Sequence, residues 1–311
     1  MKVQLENIIC TTDFSEVSNQ AVTFGIALAK KLGAKLYLCH VIDLSSLAMY
    51  GEGFSDPLEQ ERRITNYAYE HLRELIDDQS IDWEPLTPTG HTADEIARAA
   101  EEKNADLVLS ATHGRSGLKR LVLGSVTERL IRTLPCPLFV VRGLERDYVA
   151  DVNEEFGFHR ILVGCDFSSD SALAFQYGLS LAQEFQSEVY LAHVIEPAVY
   201  KDLLKQAREE KEESEQDLRK KLREKLTGMV PEEAHNWCTP KTTLLTGQPH
   251  EELTKYAVDH DIDLIVLGVR GHSLVETLFV GSTTDRVVRQ APCPVLSVRA
   301  TTKSAEEEPE S

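Results

Sequence analysis

Several features that mark particular protein classes are missing from this sequence of 311 residues. No apolar run approaches the roughly 20 residues that a bilayer-spanning helix needs. The first residues, MKVQLENIIC, lack the long apolar segment of a secretory signal, so we expect a cytoplasmic protein. Basic residues number 33 against 51 acidic ones. The net charge of −18 argues against nucleic acid or an anionic membrane as a partner, although solubility alone also accounts for it.

Cysteine is present but not in the patterns of a disulfide framework or a metal site. None of the six cysteines forms a CxxC pair, and most lie in apolar runs that have the character of strands. We therefore expect reduced, mostly buried thiols. A Pro-Cys-Pro segment occurs twice, at 135–137 and 292–294, without the charged surroundings that activate a thiol.

Three common catalytic signatures are also missing. The sequence has no Walker A pattern GxxxxGK[ST], no nucleophile elbow and no HExxH metal motif. We therefore identify no catalytic residue and no metal ligand.

An internal duplication is the strongest signal that is present. NIICTTDFS at 7–15 matches RILVGCDFS at 160–168, and LPCPLFVVRG at 134–143 matches APCPVLSVRA at 291–300. The offset between matching segments is 153 residues early in the halves and 157 later. We predict two tandem domains, 1–145 and 157–301, joined by an acidic linker around 143–157. The polar residues 302–311 are predicted to be a disordered acidic tail.

Each half alternates short apolar runs with segments of helical periodicity. This alternation predicts an α/β fold with two tandem, doubly wound, open parallel sheets of five strands. The first helix of each half carries a small-residue face that includes Gly25 or Gly178, with Ser18 or Ser171 as the expected N-cap. The second helices, near 57–78 and 200–227, are highly charged. A solvated helix with one packed edge is the simpler interpretation, and a partner-docking helix is the alternative.

The unusual residues follow the first and fourth strands of each half. Asp13 and Asp166 end the first strand, and a glycine loop follows the fourth. Ligands of open parallel sheets bind beyond the carboxyl ends of strands, so these segments form one crevice if the two strands are neighbours. Glycines let backbone amides approach an anion, and Gly281-Ser282-Thr283 opens a helix whose N-terminus suits a phosphate.

Other interpretations of these residues stay open. A single glycine is often a turn, and an Asp after a strand can be a helix cap or turn former. His40 and His193 lie in repeated strands and are expected to be hydrogen-bonded core histidines. His113 and His272 lie on the loops, where either could touch a phosphate.

The combined pattern resembles the universal stress protein family. The resemblance rests on G-x-x-G followed after nine residues by G-S, the early strand ending in Asp, the H-V-I strand and the Pro-Cys-Pro lead into the last strand. It implies a sheet order of 3-2-1-4-5, as in other Rossmann-like folds of adenine nucleotide α hydrolase type. It also implies association through the fifth strands, either inside the chain as a pseudo-dimer or between chains as a homodimer. Members with the complete glycine pattern bind ATP or AMP, with Mg²⁺ as a candidate companion.

The resemblance also assigns residues by position. In the second half Asp166 would contact ribose, the Val194 backbone would meet adenine, and the glycine loop would hold the phosphates. The assigned set there is Gly164, Asp166, Val194, Gly268, Val269, Arg270, Gly271, His272, Gly281, Ser282 and Thr283. The matching set in the first half is Asp13, Val41, Gly114, Gly124, Ser125 and Val126. Ala111 replaces the first glycine there. Its methyl is tolerated by the backbone if the local φ is negative, but it would crowd a tightly approaching ligand.

Three functions follow from these observations. The favoured one is a stress-response protein whose bound ATP or AMP, at least in the second half, biases its conformation or its partners. A slow ATPase is an alternative, although no general base, arginine finger or Walker lysine is recognisable. A nucleotide-free dimerisation scaffold with inherited glycine turns is the third.

Overall fold

The computed structural model describes residues 3–43, 57–76, 80–112, 123–142, 156–197, 215–238, 240–271 and 281–300. The chain divides into two compact units: a first unit, Gln4–Gly157, and a second unit, Phe158–Ser311, with which residues 1–3 are grouped. Within the described residues no helix is long and apolar enough to cross a membrane.

The first unit alternates strands and helices along the chain. Its elements are β1 (Asn7–Thr11), α1 (Glu16–Leu32), β2 (Lys35–Cys39), α2 (Pro57–Glu74), β3 (Trp83–Leu86), α3 (Thr92–Glu102), β4 (Leu107–Ala111), α4 (Ser125–Thr133) and β5 (Leu138–Val141). Within this unit the strands follow the order β3-β2-β1-β4-β5, and every pairing between them is parallel.

The second unit repeats this arrangement. Its elements are β6 (Arg160–Gly164), α5 (Ser169–Phe185), β7 (Glu188–Ile195), α6 (Glu215–Gly228), a 3₁₀ helix (Glu232–Asn236), β8 (Lys241–Thr246), α7 (Pro249–Asp259), β9 (Leu264–Gly268), α8 (Ser282–Gln290) and β10 (Val295–Val298). Its strand order is β8-β7-β6-β9-β10, again all parallel. The predicted fold class and the order 3-2-1-4-5 are confirmed.

Buried strands form the core of each unit. The β4 residues Leu107–Ala111 are all buried, and so are four of the five residues of β9. Strands covered on both faces are continuously apolar instead of alternating, because neither face meets water. This explains why the apolar runs in the sequence predicted parallel strands.

The small-residue faces of the first helices lie against these strands, as predicted. A Cβ on Gly178 would lie 2.6 Å from Cγ2 of Val163, and one on Gly25 would lie 3.1 Å from Sγ of Cys10. Glycine therefore lets α1 and α5 pack closely on the first strand of their own units.

The N-cap residues predicted for these helices, Ser18 and Ser171, were wrong, because they lie about one helical turn after the observed N-caps. Ser15 caps α1 and Ser168 caps α5, and their side chains accept from the backbone N–H groups of Ser18 and Ser171. Ser18 and Ser171 are thus the N3 residues, whose amides a capping side chain satisfies. The chain enters each helix earlier than the apolar periodicity indicated, because a tight turn follows the first strand.

The second helix of the second unit, α6, has the character of a solvated helix with one packed edge over its described residues. In α6 Leu226 is buried, Leu218 and Leu222 are half-buried, and most of the remaining residues are exposed. The helix packs with this edge on β8. Residues 200–214 of the predicted helix lie outside the described residues.

All six cysteines are free thiols, and four of them are buried, as the sequence predicted. Burial raises the pKa of Cys39 to about 12 and the pKa of Cys238 to about 11. Burial likewise raises the pKa of Cys136, in the first Pro-Cys-Pro segment, to about 12. A thiol with so high a pKa is a poor nucleophile at neutral pH, so this segment lacks the properties of a redox site.

The close approach of α5 to β6 yields a prediction for stability. We expect Gly178→Ala to lower the free energy of unfolding by about 1–2 kcal/mol, since overpacking costs about 1–3 kcal/mol and the helix regains up to about 1 kcal/mol from alanine. Urea denaturation measures this change. Gly228→Ala in α6 is the control, because its Cβ would meet nothing within 4 Å. Equal stabilities of Gly178→Ala and the parent protein would contradict the tight packing.

Candidate functional site

The pairing of the first and fourth strands brings the two predicted segments of each site together. In the second unit β6 pairs with β9, so Asp166 and the beginning of the glycine loop lie at the same edge of the sheet. A Cβ on Gly271 would lie 2.8 Å from Oδ2 of Asp166. The predicted crevice is therefore present. The central loop residues, 113–122 and 272–280, with Gly114, His113 and His272, lie outside the described residues.

Each aspartate holds the turn that leads from the first strand into the first helix. Oδ1 of Asp166 accepts hydrogen bonds from Ser168 N at 3.0 Å and from Ser168 Oγ at 2.5 Å. Oδ1 of Asp13 accepts from Ser15 N at 3.1 Å. The turn-former interpretation therefore holds for Oδ1, while Oδ2 of Asp166 faces Gly271. One carboxylate serves both the turn and the crevice.

A phenylalanine after each aspartate adopts a left-handed backbone conformation. Phe14 has φ 64° and Phe167 has φ 65°, values that are uncommon for residues other than glycine. The Phe14 ring stacks on His40 with the centroids 4.2 Å apart, and Phe167 contacts His193 at 4.6 Å. The strained turn is thus supported by an aromatic contact. Our sequence analysis missed these phenylalanines, although the repeated Asp-Phe-Ser was a visible signal.

The two histidines are hydrogen-bonded, as predicted, but they are half-buried at the edge of the core and not fully inside it. Nδ1 of His193 lies 2.7 Å from the Cys165 carbonyl, and Nδ1 of His40 lies 2.9 Å from the Thr12 carbonyl. A carbonyl only accepts, so each Nδ1 donates. Burial lowers the pKa of His193 from its ordinary value of 6.5, against opposing contributions from the Cys165 carbonyl and the Asp166 charge. The neutral imidazole is therefore the form that the fold favours.

The peptide groups of Val194 and Val41 point into the crevice. Along a parallel strand, alternate peptides face opposite neighbours. The Ala192 carbonyl accepts from Cys165 N on the β6 side, and the Ile195 carbonyl accepts from Gly247 N on the β8 side. By this alternation the N–H and C=O of Val194 face the β6 side, beyond the point where β6 ends.

The same alternation applies in the first unit. There the Cys39 carbonyl faces the β1 side, whereas the backbone groups of His40 and Ile42 bond toward the β3 side. The N–H and C=O of Val41 accordingly face the space beyond the end of β1. Each unit thus turns the N–H and the C=O of one residue toward the space beyond the end of its first strand.

Gly268 is required by helix packing. A Cβ there would lie 2.7 Å from the Asp170 carbonyl carbon and 2.8 Å from Ser171 N, both in the backbone of α5. The corresponding Ala111 is buried in the first unit. Contacts with the first helix thus account for the glycine at position 268, and the effect of the Ala111 methyl on a ligand stays a prediction.

Two other assigned residues also have packing roles. A Cβ on Gly164 would lie 2.5 Å from Cδ2 of Leu267, so this glycine makes room for the apolar core. Val269 is buried, its N–H donates to Val298, and its carbonyl accepts from Gly281 N at 2.8 Å. These residues shape the crevice without presenting side chains to it.

The helix after each glycine loop begins beside the crevice. Gly281 is the N-cap of α8 and Gly124 is the N-cap of α4, and no side chain of the described residues caps either helix. The first intrahelical bond of α8 runs from Asp285 N to the Gly281 carbonyl. The amides of residues 282–284 thus lack an intrahelical partner and lie at the positive end of the helix dipole.

A buried threonine ties each of these helices to the fourth strand. Oγ1 of Thr284 donates to the Gly268 carbonyl at 2.7 Å, and Oγ1 of Thr127 donates to the Ala111 carbonyl at 2.8 Å. Ser282 and Ser125 are exposed, whereas Thr283 and Val126 are half-buried. Sequence analysis missed Thr127 and Thr284, which follow the G-S pair at the same spacing in both halves.

Arg270 is directed away from the crevice. Its guanidinium binds Asp170 through Nε and Nη2, each at 3.0 Å, and the Asp170 side chain is only 2% exposed. The side chain of Arg270 is thus engaged by Asp170, and the assignment of this residue to the nucleotide site stays a prediction. Asp170 itself was not singled out from the sequence, because Val17 stands at the matching position of the first half.

Metal-binding groups are not evident in the described residues. No cluster of three or more His, Cys, Asp or Glu side chains that would hold a metal ion occurs within the described ranges.

Comparison with known proteins gives one consistent family. The model of the universal stress protein family matches residues 4–142 and 157–299. Universal stress protein MJ0531 of Methanocaldococcus jannaschii is 33% identical over 147 residues, which cover 46% of this chain and 85% of that protein.

Solved structures agree in fold. A universal stress protein from Archaeoglobus fulgidus aligns with a TM-score of 0.68 and 24% identity, covering 95% of this chain and 99% of that one. A universal stress protein in complex with cAMP shares 21% identity over 46% of this chain and 97% of its own, with a TM-score of 0.30. A likeness at that level does not identify the ligand of this chain.

The half-buried His193 yields a prediction for pH dependence. As pH falls below about 6.5 the unfolded imidazole takes up a proton first, because the folded pKa is lower, so protonation favours unfolding. The contribution of His193 to stability is therefore complete above pH 6.5 and is lost as pH falls through the folded pKa. We expect His193→Asn to flatten the fall in unfolding free energy between about pH 6.5 and 5. Parallel curves for variant and parent would contradict this prediction.

Proposed function

The chain belongs to the universal stress protein family, and from this membership we propose that its second unit binds ATP or AMP in the crevice between Asp166 and the α8 N-terminus. The observation that carries the proposal is the convergence of three complementary groups at one sheet edge. These are the inward peptide of Val194, the Asp166 carboxylate beside Gly271, and the uncapped amides at the start of α8.

Each group suits one part of an adenine nucleotide. A peptide N–H and C=O pair can recognise the edge of adenine, and a carboxylate oxygen accepts hydrogen bonds from ribose hydroxyls. The amides of 282–284 and the hydroxyls of Ser282 and Thr283 would receive phosphate oxygens. The carboxylate would repel phosphate, which orients the nucleotide with its ribose toward Asp166 and its phosphates toward α8.

The first unit has the same framework but fewer side-chain hydroxyls that could bond to a phosphate. Asp13 and Val41 repeat the ribose and adenine positions, and Gly124 and Ser125 repeat the helix start. Val126 stands where Thr283 stands, so one hydroxyl is lost. We propose that this unit binds nucleotide more weakly, and that the whole chain acts as a nucleotide-responsive regulatory protein in the cytoplasm.

Identification of a retained nucleotide tests the proposed function. We expect mass spectrometry of the denatured, purified protein to detect ATP or AMP, and calorimetric titration of the stripped protein to restore binding. In Gly271→Val the added side chain would push against Oδ2 of Asp166, so the number of bound nucleotides should fall by about one per chain. Absence of adenine nucleotide in both measurements would favour the nucleotide-free scaffold. Gly114→Val is the matched change in the first unit and should affect the stoichiometry less.

The contrast between Thr283 and Val126 provides a second prediction. Thr283→Val keeps the shape of the side chain and removes a hydroxyl that would bond to a charged phosphate, an interaction worth about 1.5–3 kcal/mol. We therefore expect ATP affinity at the second unit to fall about 10- to 100-fold, as measured by calorimetry. The reciprocal Val126→Thr should strengthen the weaker site. Unchanged affinity in both variants would show that the phosphates lie elsewhere.

A further inference from the structure

A buried carboxylate outside the crevice is joined to the first turn of the second glycine loop. Asp170 lies in the first turn of α5 and accepts four hydrogen bonds. Oδ2 accepts from Arg270 N and Arg270 Nε, both at 3.0 Å. Oδ1 accepts from Arg270 Nη2 at 3.0 Å and from Ala300 N at 3.1 Å. Arg270 Nη2 also donates to the Ala300 carbonyl at 2.5 Å. We call this Asp170–Arg270–Ala300 group the clamp.

The clamp holds the Arg270 peptide in one orientation. Its N–H donates to Oδ2 of Asp170, in the first turn of α5. Its carbonyl lies 3.3 Å from Oγ of Ser168, the N-cap of α5, whose hydrogen goes to Asp166. Gly271, the next residue, is thereby placed against Oδ2 of Asp166. The position of the glycine loop at its entry thus depends on α5 and not on a ligand.

Charge balance makes Asp170 central to this group. Arg299, beside the pair, has its pKa lowered by burial and by the positive charge of Arg270, and Asp170 opposes that effect. Two guanidinium groups therefore lie near one buried carboxylate. A bidentate arginine–carboxylate pair is strong and directional, and the loss of the carboxylate alone would leave like charges close together.

We propose that Asp170, acting through Arg270, is a positioning residue that preorganises the entry of the second glycine loop, Arg270 and Gly271, for nucleotide binding. This inference rests on the proposed function and adds a reason for the difference between the units. The first half has Val17 and His113 at the two matching positions, so it cannot form this carboxylate–guanidinium pair. A loop held in its binding geometry before the ligand arrives loses less conformational entropy on binding.

Two measurements on full-length Asp170→Asn test the proposal. We expect calorimetry to show ATP affinity at the second unit lowered by about tenfold or more, through lost preorganisation. We expect hydrogen exchange at the Arg270 amide of the nucleotide-free protein to speed up by at least about tenfold, because its acceptor is weakened. Glu188→Gln is the matched control. It removes a carboxylate paired with Lys241 at the opposite ends of the strands and should alter neither quantity.

A double variant separates positioning from folding. Asp170→Val with Arg270→His introduces the residue pair of the first half and leaves no unpaired carboxylate at this position. We expect this protein to keep a cooperative thermal transition and still show the weakened ATP binding and the faster exchange at position 270. ATP affinity equal to that of the parent in this variant would overturn the positioning role.

The remaining outcomes distinguish this inference from the proposed function. Unchanged exchange at Arg270 in Asp170→Asn would overturn the clamp itself. Faster exchange with unchanged ATP affinity would overturn its role in binding. Failure of the parent protein to bind ATP would overturn the proposed function, and the exchange measurement alone would then decide whether Asp170 holds the loop.

Discussion

The parallel pairing of the first strand with the fourth is the constraint on which the rest of each unit depends. It places the carboxyl ends of β6 and β9 side by side in the second unit, and those of β1 and β4 in the first. Residues about a hundred positions apart in the chain meet only because of this pairing. Asp166 and Gly271 approach each other there, and the peptide of Val194 faces the gap that the end of β6 leaves open.

Close packing of the first helix makes the same edge rigid. In the second unit Gly178 lets α5 approach β6, and Gly268 lets the beginning of α5 approach the end of β9. The helix N-terminus consequently lies where it can hold both the Asp166 turn and the Arg270 peptide. Several glycines that appear to serve a ligand are explained by contacts of protein with protein.

The two units show how a duplicated site can diverge while its framework persists. The Asp-Phe-Ser turn, the histidine beneath it and the threonine that ties the last helix to the fourth strand recur with nearly the same geometry. Three of the differences between the units are Ala111 for Gly268, Val17 for Asp170 and Val126 for Thr283. The first concerns packing, and the other two remove a carboxylate and a hydroxyl that only the second unit has. A difference in nucleotide binding between the units would thus rest on residues that the shared fold does not require.

The repeat, the element order and the fold class follow from the amino-acid sequence alone, because apolar periodicity and strand–helix alternation are local properties of the chain. The sequence also predicted that Asp166 and the glycine loop would meet, since the carboxyl ends of parallel strands share an edge. The directions of individual side chains, in contrast, became evident only from the folded chain. Arg270 faces Asp170, the methyl missing at Gly268 would face α5, and Ser168 caps the helix in place of Ser171. Each of these depends on which atoms of distant segments fill the space around a residue, and that information is not contained in local spacing.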